Sequence, residues 1–455
     1  MTGFFVLPDL PREHAPGRVW LAYSGGLDST VLLHALASLR VPGLRAVHIH
    51  HGLQELADEW VQHCRAQCAA LSVELEVLQV RVEDTHAAGP EAAAREARYA
   101  ALRGVMQSDD LLVTAHHQDD QAETVLLRLL RGTGVHGLGA MRPLLPFAPG
   151  RLWRPLLEVP RAELYRYAQW HRLSWIEDPH NQSPRYARSW LRAEIVPRLS
   201  ARWPQAQAHL AQAAAHCADA AELLDELAAT DRRAATHANP GVAPQDNCGV
   251  LHIPALMALT PSRRRNLLRY WLRLRGWPVP AARMLARLQA EVLDAREDAQ
   301  PLLHCGPYEF RRYRDQLHVM APLSEVPPDW SCTWDGQGEC ALPTGCGVLR
   351  STASVPLPQV LTVCFASGGE RLRPHGGTHS RTLKNLFQEA GMPPWLRTRT
   401  PLLYADGTLL AVADRWHTAQ WQELQRKHPF GLNWLADQEP PGHRHTATDD
   451  EIAPA

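Results

Sequence analysis

The amino-acid sequence predicts an α/β protein: a doubly wound parallel sheet, followed by a helical domain and a small mixed α+β carboxyl-terminal domain. Short, nearly continuous apolar runs alternate with helical segments from Arg18 to about Leu130, the pattern of strands buried on both faces. Three polar clusters, Ser24 to Ser29, His48 to Gly52 and Thr114 to Glu123, fall at the ends of such runs, where an open α/β sheet binds its ligand. At 455 residues and 45% hydrophobic content, the chain is long enough for about three domains.

VWLAYS is the first strand and DSTVLLHALASL its helix; RAVHIHH is the second strand, followed by a helix near Asp58 to Leu71. LEVLQVRV, a helix from Glu91 to Met106, LLVTAHH and a helix from Asp120 complete the alternation. Helices continue through Glu158 to His171 and on to Arg198, and an Ala-rich stretch from Gln205 to about Thr236 reads as a long linking helix. After a Pro, Asn and Gly-rich break at 237–250, a second helical unit runs from Ile253 to Ala299 and closes with short strands to Met320. Pro322 to Thr344 reads as a linker, and the polar residues beyond Asn433 as a disordered tail. The expected domains are 1–215, the parallel α/β sheet with a helical extension; 216–322, helical; 345–432, carboxyl-terminal; and 433–455, tail.

No run approaches the roughly 18 apolar residues of a spanning helix, and the amino terminus lacks a secretory signal, so a cytoplasmic location without membrane partners is expected. The nine cysteines form no CxxC pair, and Cys64 and Cys68 fit a buried helix face, which points away from a disulfide framework, zinc site or iron–sulfur cluster. The formal net charge of −1 announces no polyanion partner by itself, although every basic residue except Lys384 and Lys427 is arginine.

The loop Ser24-Gly25-Gly26-Leu27-Asp28-Ser29 follows the first strand directly. Paired glycines permit positive φ and close approach of backbone to ligand, and the first N–H groups of the next helix point at any anion there. Ser24 and Ser29 add hydroxyl donors, and Asp28 adds a carboxylate able to hold Mg2+ on phosphates. No Gly-Lys-Ser/Thr ending is present, so this is not a Walker loop. The bland alternative is a tight turn with Asp28 capping a helix.

This string resembles the SGGxDS signature of the N-type ATP pyrophosphatases, which cleave ATP between the α and β phosphates. VHIHHGL and TAHHQDDQAETVLLRLLRGTG, then GLGAM, RPLL, EDPHNQSPRYARSWLR and the stretch from Glu370 to Tyr404, resemble in order and spacing the tRNA(Ile)-lysidine synthetase family within that group. The resemblance covers nearly the whole chain. It implies a ligase that uses ATP and Mg2+ to adenylate the C2 carbonyl oxygen of the wobble cytidine in a CAU-anticodon isoleucine tRNA, after which free L-lysine displaces AMP. Oligomeric state stays open, a homodimer being one option. Two rivals remain: a tRNA 2-thiolation enzyme, disfavoured by the missing cysteine pair, and a non-catalytic tRNA-binding protein, disfavoured by the intact loop.

Matching positions make Asp28, Asp120, Glu123, Arg95 and Arg192 the catalytic candidates, with Asp28 and Asp120 on Mg2+. His50, His51, Arg98, His117, Asp119, Gln121, Asn181 and Arg188 would line the substrate pocket. Asp120 and Glu123 also fit a capping box, Arg95 and Arg98 an exposed helix face, and the histidines structural hydrogen bonds. Ser189 stands where the family usually has Asn. Between Arg263 and Arg287, eight arginines occur without an acid, interleaved with Tyr270, Trp271 and Trp277. Arg263, Arg264, Arg269 and Arg273 there, with Arg371, Arg373, Arg381, Lys384 and Arg397 further on, are the expected tRNA contacts, the alternative being a solvated amphipathic face.

Overall fold

The computed structural model describes residues 5–11, 17–50, 57–80, 90–147, 149–177, 187–237, 250–296 and 299–436. They divide into two compact units between Leu227 and Ala228. The expected boundary at 215/216 and this division both fall inside one long helix, Ala206–His237.

The first unit holds strands β1 (Val19–Ala22), β2 (Leu44–His50), β3 (Glu74–Gln79), β4 (Leu111–Val113), β5 (Leu144–Phe147) and β6 (Gly150–Trp153). Its helices are α1 (Leu27–Ser38), α2 (Ala57–Ala70), α3 (Pro90–Val105), α4 (Gln118–Leu130), α5 (Val135–Leu138), α6 (Arg161–Trp170), α7 (Ala187–Trp190), α8 (Val196–Arg202) and α9 (Ala206–His237). A π-helical turn, Leu191–Ile195, joins α7 to α8. Strand order is β3-β2-β1-β4-β6-β5, parallel except for β5. Both faces of the sheet are apolar because alternate residues of each strand face opposite layers. Leu21, Val113 and Trp153 pack in one core with Val31, Leu32 and Leu164, while Trp20, Leu112 and Leu152 pack in another with Tyr99, Leu102 and Phe147. Each such buried side chain contributes roughly 1.5–3 kcal/mol.

β1 has β2 on one side and β4 on the other, so the winding direction reverses between β1 and β4, and a crevice opens at their carboxyl ends. At the opposite end, buried Asp110 fixes this pair by accepting from Arg18 N (2.8 Å), Gln107 N (2.9 Å) and Trp20 Nε1 (3.0 Å). A second clamp explains the GLGAM run. Arg128 of α4 donates to the carbonyls of Gly137 and Ala140, and a Cβ on Gly139 would stand 3.2 Å from Ala218 Cα, so glycine lets α9 approach that turn.

In the second unit, α10 (Ile253–Ala258), α11 (Pro261–Leu274), α12 (Ala282–Arg287) and a π-helical turn (Leu288–Leu293) pack on an antiparallel sheet. That sheet runs β7 (Val250–His252), β10 (Gln316–Met320), β9 (Tyr308–Tyr313), β8 (Leu302–Cys305). Leu267, Leu268, Trp271 and Leu272 of α11 are core residues against Tyr308, Phe310 and Leu317. The remainder is β11 (Ser331–Trp334), β12 (Glu339–Ala341), β13 (Val348–Ser351), β14 (Leu361–Cys364), β15 (Arg371–Leu372), β16 (Arg381–Thr382), α13 (Leu383–Glu389), α14 (Pro394–Arg397), β17 (Leu402–Ala405), β18 (Thr408–Val412), β19 (Trp416–His417), α15 (Ala419–Lys427) and β20 (Leu432–Leu435).

Two expectations need correction here. The Pro322–Thr344 stretch is not only linker: β11 pairs with β14 and β12 with β13, the turn between them carried by Gly336 and Gly338 at φ +76° and +64°. Nor does the tail begin at 433, because Leu432 and Trp434 alternate along β20, which pairs with β13, and Trp434 Nε1 donates to the Cys346 carbonyl at 2.9 Å. Residues 437–455 lie outside the described residues.

Candidate active site

The loop Ser24 to Ser29 leaves β1 and becomes the first turn of α1. Gly25 has φ +81°, and a Cβ there would lie 2.7 Å from Ile176 Cδ1 and 2.9 Å from Cys64 Sγ, so glycine is demanded twice. Ile176 N donates to the Gly25 carbonyl (2.9 Å). Gly26 is the N-cap of α1, which makes Asp28 a second-position helix residue rather than the cap. Ser24 Oγ and Ser29 Oγ are 3.0 Å apart, Ser24 Oγ accepts from Gly26 N (3.3 Å), and Ser29 Oγ donates to the Gly26 carbonyl (3.1 Å). The first N–H groups of α1 have no intrahelical acceptor and, with the helix dipole, form a ready anion cradle.

Across the crevice, α4 begins after β4. Its N-cap is His117, whose Nδ1 accepts from Asp120 N, while the Asp120 carboxylate accepts from His117 N (3.1 Å). The capping box is thus His117 with Asp120, not Asp120 with Glu123, and Glu123 is left for other partners. His117 is 1% exposed and places Nε2 3.4 Å from Asp120 Oδ2 and 3.7 Å from Asp28 Oδ2, bridging the two carboxylates. Burial favours neutral imidazole, but Asp120, Asp28 and Asp119 together outweigh it and raise the His117 pKa. For Asp120, burial alone would raise the pKa, yet His117, Arg188, His116 and Arg192 hold it well below the ordinary carboxylate range.

Glu123, also 1% exposed, is the hub of an arginine clamp. Arg188 Nε donates to Oε2 at 2.7 Å, and Arg192 donates through Nε to Oε1 at 2.7 Å and through a terminal nitrogen to Oε2 at 3.0 Å. Both guanidinium groups also reach Asp120 Oδ1, at 3.3 and 3.2 Å. Burial weakens the charged form of Arg192, but the Glu123 hydrogen bonds and the charges of Glu123, Asp120 and Asp28 raise its pKa overall. The π-helical turn begins just after α7, so its widened backbone carries Arg192 on the same cluster as Arg188, four residues earlier. Ser189 sits half-buried between them.

Other pocket candidates are placed differently. Gln121 is buried and holds Met141 at both ends of its amide, donating to the carbonyl (2.8 Å) and accepting from the N–H (2.9 Å), so both ends are engaged within the fold. Asp119 accepts from Arg161 N (3.0 Å) and Gln207 Nε2 (2.8 Å), which braces α6 and α9. His50 ends β2 with Nε2 3.4 Å from Asp58, whereas buried His48 donates from Nδ1 to the Tyr23 carbonyl (2.9 Å). Burial lowers the His48 pKa; the Tyr23 carbonyl partly offsets this, and His50 and Arg98 lower it further. Arg98 therefore lies on α3 within electrostatic reach of the β2 end. Arg95 is on the same helix. His51 and Asn181 lie outside the described residues. Cys64 and Cys68 are buried thiols, pushed up to about 12 and about 11 by burial, and the neighbouring thiol adds to the rise at Cys64.

For a metal, Asp28 Oδ1 is the telling atom: it is buried and accepts no hydrogen bond. Among the described residues no group of three or more His, Cys, Asp or Glu could hold an ion alone. An unsatisfied carboxylate oxygen facing a phosphate cradle fits Mg2+, which takes one or two carboxylates and draws its other oxygens from phosphates and water. Sequence reasoning missed one neighbour: Arg161, at the start of α6, has Nε 3.4 Å from Asp28 Oδ1. Its only signal was position, at the end of a segment that follows a strand carboxyl end.

The arginines of the second unit divide. Arg264 is buried and donates to the carbonyls of Leu256, Met257 and Leu259 and to Gln289 Oε1, so it is an internal fastener. Arg263 pairs with buried Asp231, and Arg287 with Glu291. Arg269 and Arg273 are half-buried along α11, and Arg283 is exposed. Further on, Arg371 and Arg373 donate to the carbonyls of Ser380 and Gly377, Arg381 pairs with Glu389, and Arg397 bonds the Met392 carbonyl and Tyr313 Oη. Lys384 is exposed.

Comparison with known proteins places three family domains along the chain. The PP-loop domain model matches residues 7–199, the TilS substrate binding domain model residues 251–318, and the TilS substrate C-terminal domain model residues 361–434. The tRNA(Ile)-lysidine synthase of Xanthomonas campestris pv. campestris (strain 8004) is 43% identical over 423 residues, 92% of this chain and 95% of that protein. That of Xylella fastidiosa (strain Temecula1) is 44% identical over 441 residues, 95% and 98% of the two chains. The enzyme of Alkalilimnicola ehrlichii is 45% identical over 408 residues, 87% and 88%. With matched domains in the same order and this identity over nearly its full length, the chain belongs to the tRNA(Ile)-lysidine synthase family.

Proposed function

We propose that this protein joins free L-lysine to C2 of the wobble cytidine of a CAU-anticodon isoleucine tRNA, in two steps at the β1/β4 crevice. In the first, the cytidine O2 attacks the α-phosphorus of ATP; the bond to the bridging oxygen breaks, and pyrophosphate leaves in the cradle of α1. In the second, the lysine ε-amine, having lost its proton, attacks C2 and expels AMP. The observation that carries this reading is the opposition, across one crevice, of an anion cradle and a carboxylate–arginine cluster.

Asp28 and Asp120 would hold Mg2+, which neutralises phosphate charge as the α–β bond breaks. Asp28 is already oriented by its helix and by His117. Glu123 fixes the two guanidinium groups, so Arg188 and Arg192 stand preorganised where an α-phosphate or a base carbonyl becomes negative. Arg192, 43% exposed, is the clamp member able to yield when a ligand enters. Half-buried or exposed basic residues of the second unit, Arg269, Arg273, Arg283 and Lys384, are the proposed phosphate contacts for the tRNA.

The test is incubation with ATP, Mg2+, labelled lysine and a CAU-anticodon isoleucine tRNA transcript. Label in the RNA, absent when the wobble base is changed to U, is expected. Folded protein that transfers no label contradicts the proposal.

A further inference from the structure

Arg161 is an arginine that reaches Asp28 from outside both the phosphate loop and the arginine clamp. It is the first residue of α6, its backbone N–H held by Asp119 Oδ1 at 3.0 Å, so its Cα is fixed relative to α4. Its side chain is 46% exposed, with Nε 3.4 Å from Asp28 Oδ1. That separation gives charge compensation without a formed hydrogen bond, and Asp28 Oδ1 remains a buried acceptor with none. Among the described residues the terminal nitrogens of Arg161 make no hydrogen bond, so its forked donor set is uncommitted. His117, near the other oxygen of Asp28, is buried and committed to the capping box.

We infer that Arg161 is an exchangeable counter-ion: it neutralises Asp28 when the crevice is empty, and releases Asp28 to Mg2+ and takes the ATP phosphates when nucleotide enters. The inference rests on the ATP-dependent reading above. A fixed Cα with a half-exposed, partly unpartnered guanidinium suits such a swing, since the fork geometry matches phosphate oxygens bidentately. Without Arg161 the empty site would carry more negative charge at Asp28, whose other oxygen His117 approaches, and that charge attracts the cation and repels the nucleotide.

Two opposite shifts follow for Arg161→Ala, measured by calorimetric titration of ATP and by half-saturation for Mg2+, without tRNA or lysine. ATP affinity falls roughly ten- to a hundredfold, as expected for loss of a charged hydrogen-bonding group, while the Mg2+ concentration needed for half-saturation decreases. Arg161→Lys, which keeps the charge but not the fork, recovers part of the ATP affinity and restores the Mg2+ requirement. If both quantities worsen together with thermal stability, Arg161 is a structural brace and the inference is overturned. Wild-type-like values in Arg161→Ala overturn it too, leaving the proposed function standing. A wild-type protein that binds no ATP would remove both.

Discussion

The crevice of the first unit and the basic surface of the second use the same residue type in contrasting ways. Arg188 and Arg192 converge on buried Glu123 and partly buried Asp120, so charge is concentrated at one point and held there. Along α11 and in the carboxyl-terminal region, Arg264 and Arg397 fasten backbone carbonyls, Arg263, Arg287 and Arg381 meet acids, and a smaller set stays available. An arginine count therefore overstates an RNA footprint, because a guanidinium with five donors is also an efficient fastener of loops.

The contrast can be broken most sharply at Asp28 and Glu123. Asp28→Ala is expected to lower adenylation by at least roughly 10²–10³-fold, with tRNA binding by filter retention unchanged; equal loss of both would mean misfolding. Glu123→Gln should cost about 2 kcal/mol in denaturant unfolding and most of the activity, since two arginines lose their common anchor. If its activity stays near wild type, the clamp is not part of the site.

In the second unit, Arg264→Ala should lower stability by about 3 kcal/mol, leaving several buried carbonyls unpaired. Arg269→Ala, by contrast, should leave unfolding unchanged and flatten the salt dependence of tRNA binding by about one phosphate contact. The reverse pattern would dissolve the distinction between fasteners and contacts. Gln121→Ala sharpens the same point inside the first unit: about 1–2 kcal/mol less stability, with near-normal turnover per folded molecule.

The smallest effect is in pH. The raised His117 pKa contributes stability that is complete below the unfolded value near 6.5 and is lost as pH rises through the folded value. The depressed Asp120 pKa contributes stability that is present above about 4 and is lost as pH falls toward the folded value. His117→Gln should flatten the alkaline side of a stability–pH curve. A slope that stays unchanged would mean that another group titrates there.

Much of the crevice was legible because its parts are contiguous in sequence. The glycine pair, Asp28, and the strand-then-helix pattern at Thr114 to Glu123 predict backbone geometry directly, and Arg188 with Arg192 were found through resemblance. What escaped depended on tertiary neighbours. Gln121 carries the same amide whether it faces a ligand or Met141, and the cap of α4 shifted to His117 because the imidazole supplies an acceptor three residues before Asp120 N. Arg161 carries no local signal for Asp28, which is 133 positions away. β11, β12 and β20 are short strands, stabilised by partners distant in the chain, so their Pro, Gly and Trp-rich sequences read as linker and tail.

In the proposed reaction the crevice places AMP on the RNA before the lysine amine attacks. With α-labelled ATP, Mg2+ and the CAU isoleucine transcript but no lysine, label should appear covalently on the tRNA and pyrophosphate in solution, and added lysine should chase that label off as AMP. Label that never enters the RNA, or that stays there after lysine is added to active protein, would contradict it.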